Sequence, residues 1–342
     1  MEKKHNEQIA YIQWLRLFAA AAVVLMHTAG SRWLSIVHTD PRWMPLTWWD
    51  SMVRWPVPVF IMITGALFLP RRTALKTALT RYIPRMVLCF AVWSAVYALW
   101  SWRQDPGTDP VRAFLGGHYH MWYLPFLCGV YLTLPFLQQI AADEKLWRQL
   151  LIVGGVVGIA IPWLADVAAL IWPGSGPLVR TVENSLNFSF FFDHISLLLL
   201  GHCLVRTELT PKARRLLYAA GVLGAAVTGF ATVWATFRTE FQSSVFFDYT
   251  APNNLCTAAA LFVFAKHHLH TLPKAVDRLA KQSFGVYLVH PLIIELLAEG
   301  GLDVLAYAPG WWTPVLAAAV FALSAAVTAV LGKLPVVGKY LV

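Results

Sequence analysis

Long apolar runs separated by short polar segments occupy most of this chain. Ten of them lie at roughly 9–30, 51–70, 82–102, 121–140, 149–168, 187–205, 213–236, 252–268, 283–300 and 312–332. Each is close to the ~20 apolar residues that an α-helix needs to cross a ~30 Å hydrocarbon core. The pattern predicts an all-α membrane protein, a polytopic bundle of about ten transmembrane helices forming a single domain over residues 1–342. The first run follows a basic N-terminal stretch, as a secretory signal does. Nine further runs follow it and no small-residue cleavage site stands out, so it is read as the first transmembrane helix. No low-complexity tract, coiled coil or internal repeat is visible.

Composition narrows the class. Of the 342 residues, 58% are hydrophobic and 13% charged, whereas a soluble domain carries roughly 25% charged residues. A soluble globular enzyme, a disordered chain and a nucleic-acid-binding domain are excluded together. The net charge of +9 then reads as loop bias in a membrane protein. With the N-terminus in the cytoplasm, nineteen Lys and Arg fall on the inner side and seven on the outer, with Arg16 inside the first helix. The positive-inside rule therefore predicts cytoplasmic termini, as an even number of spans also requires. Cys89, Cys128, Cys203 and Cys256 are far apart with no CxxC pair, which implies neither a zinc site nor a disulfide framework.

The predicted outer loops, Ser31–Asp50 and Asp166–Leu186, are long and rich in Trp, Pro and Gly, while the inner ones are short and basic. Trp33, Trp43, Trp48, Trp49, Trp55, Trp311 and Trp312 lie near predicted outer ends, the pattern of an interfacial aromatic belt, with sugar stacking as the alternative.

Ionisable groups inside spans are costly and mark functional candidates. The first helix holds Arg16 and His27, eleven residues apart. At 100° per residue that is three turns plus about 20°, so both face one side, about 16 Å apart along the axis. The plain alternative is a snorkelling arginine and a satisfied interfacial histidine. Arg71, Arg72, Lys76, Arg81 and Arg85 form a basic cluster on the cytoplasmic side. Anionic lipid accounts for most of it, but Arg81 and Arg85, at i and i+4, would also clamp a phosphate. Thr64-Gly65 in the second span allows close helix approach. His118-Tyr-His120-Met-Trp122 opens the fourth helix without a carboxylate or Cys partner, so no metal is expected there.

These segments together resemble the acyltransferase-3 family of integral-membrane acyltransferases. Arg16-x10-His27 matches its first-helix motif, and Val57-Pro-Val-Phe-Ile-Met-Ile-Thr-Gly-Ala-Leu-Phe-Leu69 resembles its "VPLFFxxSGYLL" helix. His120-Met-Trp-Tyr-Leu124 resembles "HLWFL", Pro252-Asn253 resembles "SPN", and Ser283-Phe-Gly-Val-Tyr-Leu-Val-His290-Pro resembles "SxGIYLIHP". The five stand in the family's order and span nearly the whole chain. Details are most similar to the subgroup of the enterobacterial common antigen O-acetyltransferase. Thr64 and Ala66 depart from the usual Ser and Tyr.

The resemblance implies a ten-helix domain in a bacterial inner membrane. It would move an acetyl group from cytoplasmic acetyl-CoA to a hydroxyl of an extracytoplasmic glycan. Arg16, Arg71, Arg72, Arg81 and Arg85 would then bind the donor, and His27 would act as general base or transient acyl carrier. A base needs an orienting partner for its second ring nitrogen. Asp193 is the expected one, with Glu183 and Asp50 as looser candidates. His120, Trp122 and Asn253 would line the acceptor or donor cavity, and Tyr287 and His290 would close it, helix–helix hydrogen bonding being the alternative for all five. The implied partners are an acyl-CoA donor, a glycan acceptor and membrane lipids, with no nucleic acid. The competing reading is a transporter or exporter of a lipid-linked or small glycan.

Overall fold

The structure, a computed structural model, describes residues 2–172, 174–178, 181 and 189–342, and their side chains except those of residues 2–6 and 189–191. Among the described residues all regular structure is helical. The principal helices are α1 (Glu2–Gly30), α2 (Trp43–Ser51), α3 (Pro56–Phe68), α4 (Ile83–Gln104), α5 (Pro110–Gly116), α6 (Tyr123–Ala142), α7 (Glu144–Val153), α8 (Ile161–Ile171), α9 (Ser189–Arg206), α10 (Pro211–Thr239), α11 (Pro252–His268), α12 (Lys274–Lys281), α13 (Ser283–Glu299), α14 (Pro309–Leu331) and α15 (Pro335–Tyr340). Every one of the ten apolar runs falls on one of these helices or on a continuous helical run. Among the described residues, seven such runs are long and apolar enough to cross a membrane, so the chain is a membrane protein. The runs on α9, α11 and α13 are not among the seven. α11 and α13 have 17 residues each, about 26 Å at 1.5 Å per residue, and both bury much of their length inside the bundle.

α1 is the central post, packed against α2, α3, α11, α12, α13 and α14. Close crossings are set by glycine. A Cβ on Gly65 would overlap the Leu198 carbonyl, and one on Gly201 would overlap the Met62 carbonyl, so α3 and α9 meet backbone to backbone. Gly224 lets α10 approach the Asn253 carbonyl of α11 in the same way.

The segment expected as a loop at Ser31–Asp50 is partly helical, because it folds back as α2 over the end of α1. That corrects the aromatic-belt reading for two tryptophans. Trp43 is fully buried, and Trp33 is buried with its indole N–H donated to Thr47 Oγ1 at 2.9 Å. Both join a core cluster with Phe247 and Val286. Trp311, 55% exposed, keeps the surface position expected of a belt residue. Part of Asp166–Leu186, including the candidate Glu183, lies outside the described residues.

Candidate active site

α1 and α13 run side by side in the same direction. Ser283 Oγ donates to the Arg16 carbonyl at 3.4 Å, and a few turns on, the rings of His27 and His290 meet. His27 Nδ1 lies 2.7 Å from His290 Nε2, and the rings are parallel within 5°. His290 Nδ1 is 3.0 Å from the Val286 carbonyl, one turn back along α13. A carbonyl only accepts, so His290 Nδ1 carries hydrogen. In the neutral pair His290 Nε2 then offers its lone pair, and His27 Nδ1–H donates to it. The proton chain leaves the lone pair of His27 on Nε2. A histidine held in one tautomer by a fixed acceptor is what a general base requires.

Around this pair lie further rings. Tyr119 meets His27 edge-on with centroids 5.2 Å apart, and His120 meets His290 at 5.6 Å. Tyr287 donates its hydroxyl to the His120 carbonyl at 2.6 Å. His118 stacks on Tyr97 at 4.3 Å, places Nδ1 3.1 Å from His120 Nδ1, and places Nε2 3.2 Å from Glu295 Oε1. The residues His27, His120, Tyr287 and His290, read separately from the sequence, are thus brought together. Tyr119, His118 and Glu295 were not singled out for this site. The run His118-Tyr-His120 is the sequence signal for the first two, and without a carboxylate or Cys beside it in sequence it implies no metal site.

Arg16 sits on the same side of α1 toward its N-terminal end. It donates to Gln13 Oε1 at 3.2 Å, and Gln13 donates to Asp277 Oδ1 at 3.0 Å. Lys281 and Gln13 hold the Asp277 carboxyl below the usual carboxylate range. Arg16 also lies within electrostatic reach of Tyr123 and Tyr131. These belong to an aromatic seam through the bundle. Arg85 lies over Phe284 at 5.7 Å, Tyr82 and Tyr131 are 5.1 Å apart, Tyr123 and Tyr287 6.2 Å, and Tyr287 and His120 5.2 Å. The seam joins the basic end of α4 to the histidine pair. Arg81 lies in the π-helical turn leading into α4, while Arg71 lies over Phe68 and Arg72 is exposed beside it.

The remaining candidates sit elsewhere. Asp193 hydrogen-bonds the ring of its neighbour His194, whose Nε2 meets the Tyr249 hydroxyl at 2.9 Å. Trp122 stacks on Tyr249 at 5.5 Å. Asn253 gives its amide N–H groups to Thr228 Oγ1 at 2.8 Å and the Phe246 carbonyl at 2.9 Å, tying α11 to α10 and to the turn before it. Asp50 is fully buried and pairs with Arg54, whose guanidinium lies 4.0 Å over Phe247.

No curated protein and no solved structure matches the chain. A family model described as an acyltransferase domain, that of the acyltransferase-3 family, does match, over residues 9–332 of a chain whose helices cross a membrane and enclose a tautomer-fixed histidine, and the chain belongs to that family of membrane acyltransferases.

Proposed function

We propose that this protein is an O-acetyltransferase of a bacterial inner membrane, with ten crossings and both termini in the cytoplasm. It takes the acetyl group from cytoplasmic acetyl-CoA and gives it to a hydroxyl of an extracytoplasmic glycan. The observation that carries this reading is the Val286–His290–His27 hydrogen-bond chain, which leaves one basic nitrogen, His27 Nε2, in the interior. Asp193 is engaged with His194, so His290 takes the orienting role in this account.

The donor enters from the basic face. Arg81 and Arg85, with Arg71 and Arg72, hold the nucleotide phosphates by charge-assisted hydrogen bonds. The pantetheine arm lies along the aromatic seam beside Arg16. Because α1 is one unbroken helix from Glu2 to Gly30, the arm spans the about 16 Å from Arg16 to His27. The thioester thus arrives at the histidine pair while the nucleotide stays in the cytoplasm.

His27 Nε2 accepts the proton of the acceptor hydroxyl as the oxygen attacks the thioester carbonyl. The tetrahedral adduct collapses with cleavage of the C–S bond, and the imidazolium returns the proton to the departing sulfur. Ester and CoA thiol are the products, with no net proton released. Attack by Nε2 itself would give an acetyl-imidazole that the hydroxyl then discharges, with the same balance.

Purified protein in nanodiscs, given acetyl-labelled acetyl-CoA and an extracted glycan pool, tests the reading. Label is expected in base-labile ester on the glycan, with stoichiometric CoA release. A succinyl donor working in place of acetyl would reassign the donor. Absence of binding to any acyl-CoA would contradict the reading, and export of an unmodified glycan would put the transporter in its place. Label on His27 in the absence of acceptor would select the acetyl-imidazole route.

A further inference from the structure

Beyond the histidine pair a cleft of about 410 Å³ opens between the ends of α1, α4 and α13. Its lining includes Ser31, Arg32, Gln104, Glu295, Glu299 and Asp303. Its place follows from the two parallel helices. Ser31 is four residues past His27, and Ile294, also in the lining, is four residues past His290. Four helical residues rise about 6 Å, so the cleft begins one turn beyond the reacting nitrogen, on the side away from the basic face. Glu295 joins the two regions directly, since it lines the cleft and places Oε1 3.2 Å from His118 Nε2, beside His120.

Resting on the acyltransferase reading, we propose that this cleft seats the acceptor chain and selects an uncharged, polyhydroxylated segment over an acidic one. Three carboxylates face one lining arginine. Arg32 Nε holds Asp303 at 3.1 Å, and Arg103 holds Glu299 at 3.4 Å. These pairs fix the carboxylates while leaving further lone pairs, of which each carboxylate has about four, to accept sugar hydroxyls. A chain bearing its own carboxylates would meet like charge. Beside Asp303 the wall is apolar, formed by Ile294, Val304 and Leu316. Carboxylate acceptors next to an aliphatic wall suit the hydroxyls and the apolar face of a pyranose. An anionic lipid headgroup fits the same lining poorly.

The test blocks the cleft without needing the glycan's identity. Ala298 lines it and is small enough for Ala298→Cys to fold. Val37→Cys, 66% exposed in the segment between α1 and α2 and outside the lining, is the control. Each protein, and the unsubstituted one, is treated with a polyethylene glycol maleimide and assayed for acetyl transfer to the extracted glycan pool and, separately, for acetyl-CoA binding. Treated Ala298→Cys should transfer at least tenfold less while binding donor as before, and the two controls should be unchanged. Full transfer by treated Ala298→Cys overturns the assignment of the cleft. In the unsubstituted protein, a neutral gluco-oligosaccharide should compete with the native pool more strongly than an oligouronate of equal length. Equal or reversed competition overturns the charge selection. Failure of the unsubstituted protein to bind acetyl-CoA at all would instead remove the underlying reading, and the binding arm reports it separately.

Discussion

His290 is asked to do one thing for His27, accept a hydrogen bond, and substitution can separate that from filling space. His290→Ala leaves Nδ1–H of His27 without its acceptor and the ring free to turn. Turnover should fall about 10–100-fold, the loss seen when the outer partner of a metal-ligating histidine is removed. His290→Gln keeps a carbonyl oxygen that accepts from Nδ1–H and should retain more activity than the alanine variant. Equal kcat in both would mean that packing, not orientation, is the role. Asp277 acts at the other end of α1. Asp277→Ala frees Gln13 and through it Arg16, so donor KM should rise while kcat holds. Lys281 and Gln13 depress the Asp277 pKa, so this anchor is complete above the ordinary carboxylate range and is lost as pH falls through the lowered value. Donor binding should weaken only in acid.

The sequence exposed Arg16 and His27 because a charged and a titratable residue stand out in an apolar run and the 100° rotation puts them on one face. It did not expose the partner. His290 is 263 residues from His27, and no periodicity within a segment reports which helices will be neighbours. Asp193 drew the partner role on chemistry alone, whereas in space it is taken up by the adjacent His194.

At the scale of elements, two glycines set how near α3 and α9 come. Gly65→Leu or Gly201→Leu would drive a side chain into backbone that no rotamer change can clear. Either should cost about 3 kcal/mol, the upper part of the usual overpacking range, read as a lower midpoint of thermal aggregation in detergent. Gly116→Ala, where a Cβ meets no neighbouring atom within 4 Å, is the control and should be near neutral. The Thr64-Gly65 pair announced a close approach in the sequence, although not to which helix. α2 was not announced. Its residues, Trp43-Met-Pro-Leu-Thr-Trp-Trp-Asp-Ser51, read as a Trp- and Pro-rich loop. They form a buried helix because tertiary contact with the end of α1 outweighs local composition.

In the proposed mechanism the whole molecule divides labour along the bundle, with cations and the aromatic seam on one side of the histidine pair and a carboxylate-lined cleft on the other. Hydropathy alone located the long helices, since each apolar run has a helix on it, but not the short ones such as α2. The seam and the cleft, assembled from four or more helices, lay beyond it. Arg81→Gln with Arg85→Gln should raise donor KM about tenfold or more, since a hydrogen bond to a charged group is worth ~1.5–3 kcal/mol. The rise should shrink as salt screens the remaining cations, and a KM unchanged at low salt would move phosphate binding elsewhere.

If His27 is the base, and not a structural residue of the donor site, its removal should suppress turnover and spare donor binding. The most direct measurement compares wild type with His27→Ala in nanodiscs, following acetyl-CoA binding and acceptor-dependent CoA release in the same sample. The expected result is donor binding within a few-fold of wild type and turnover lower by about 10²–10⁴, the usual contribution of a general base. Turnover by His27→Ala at the wild-type rate, with donor bound, would contradict it.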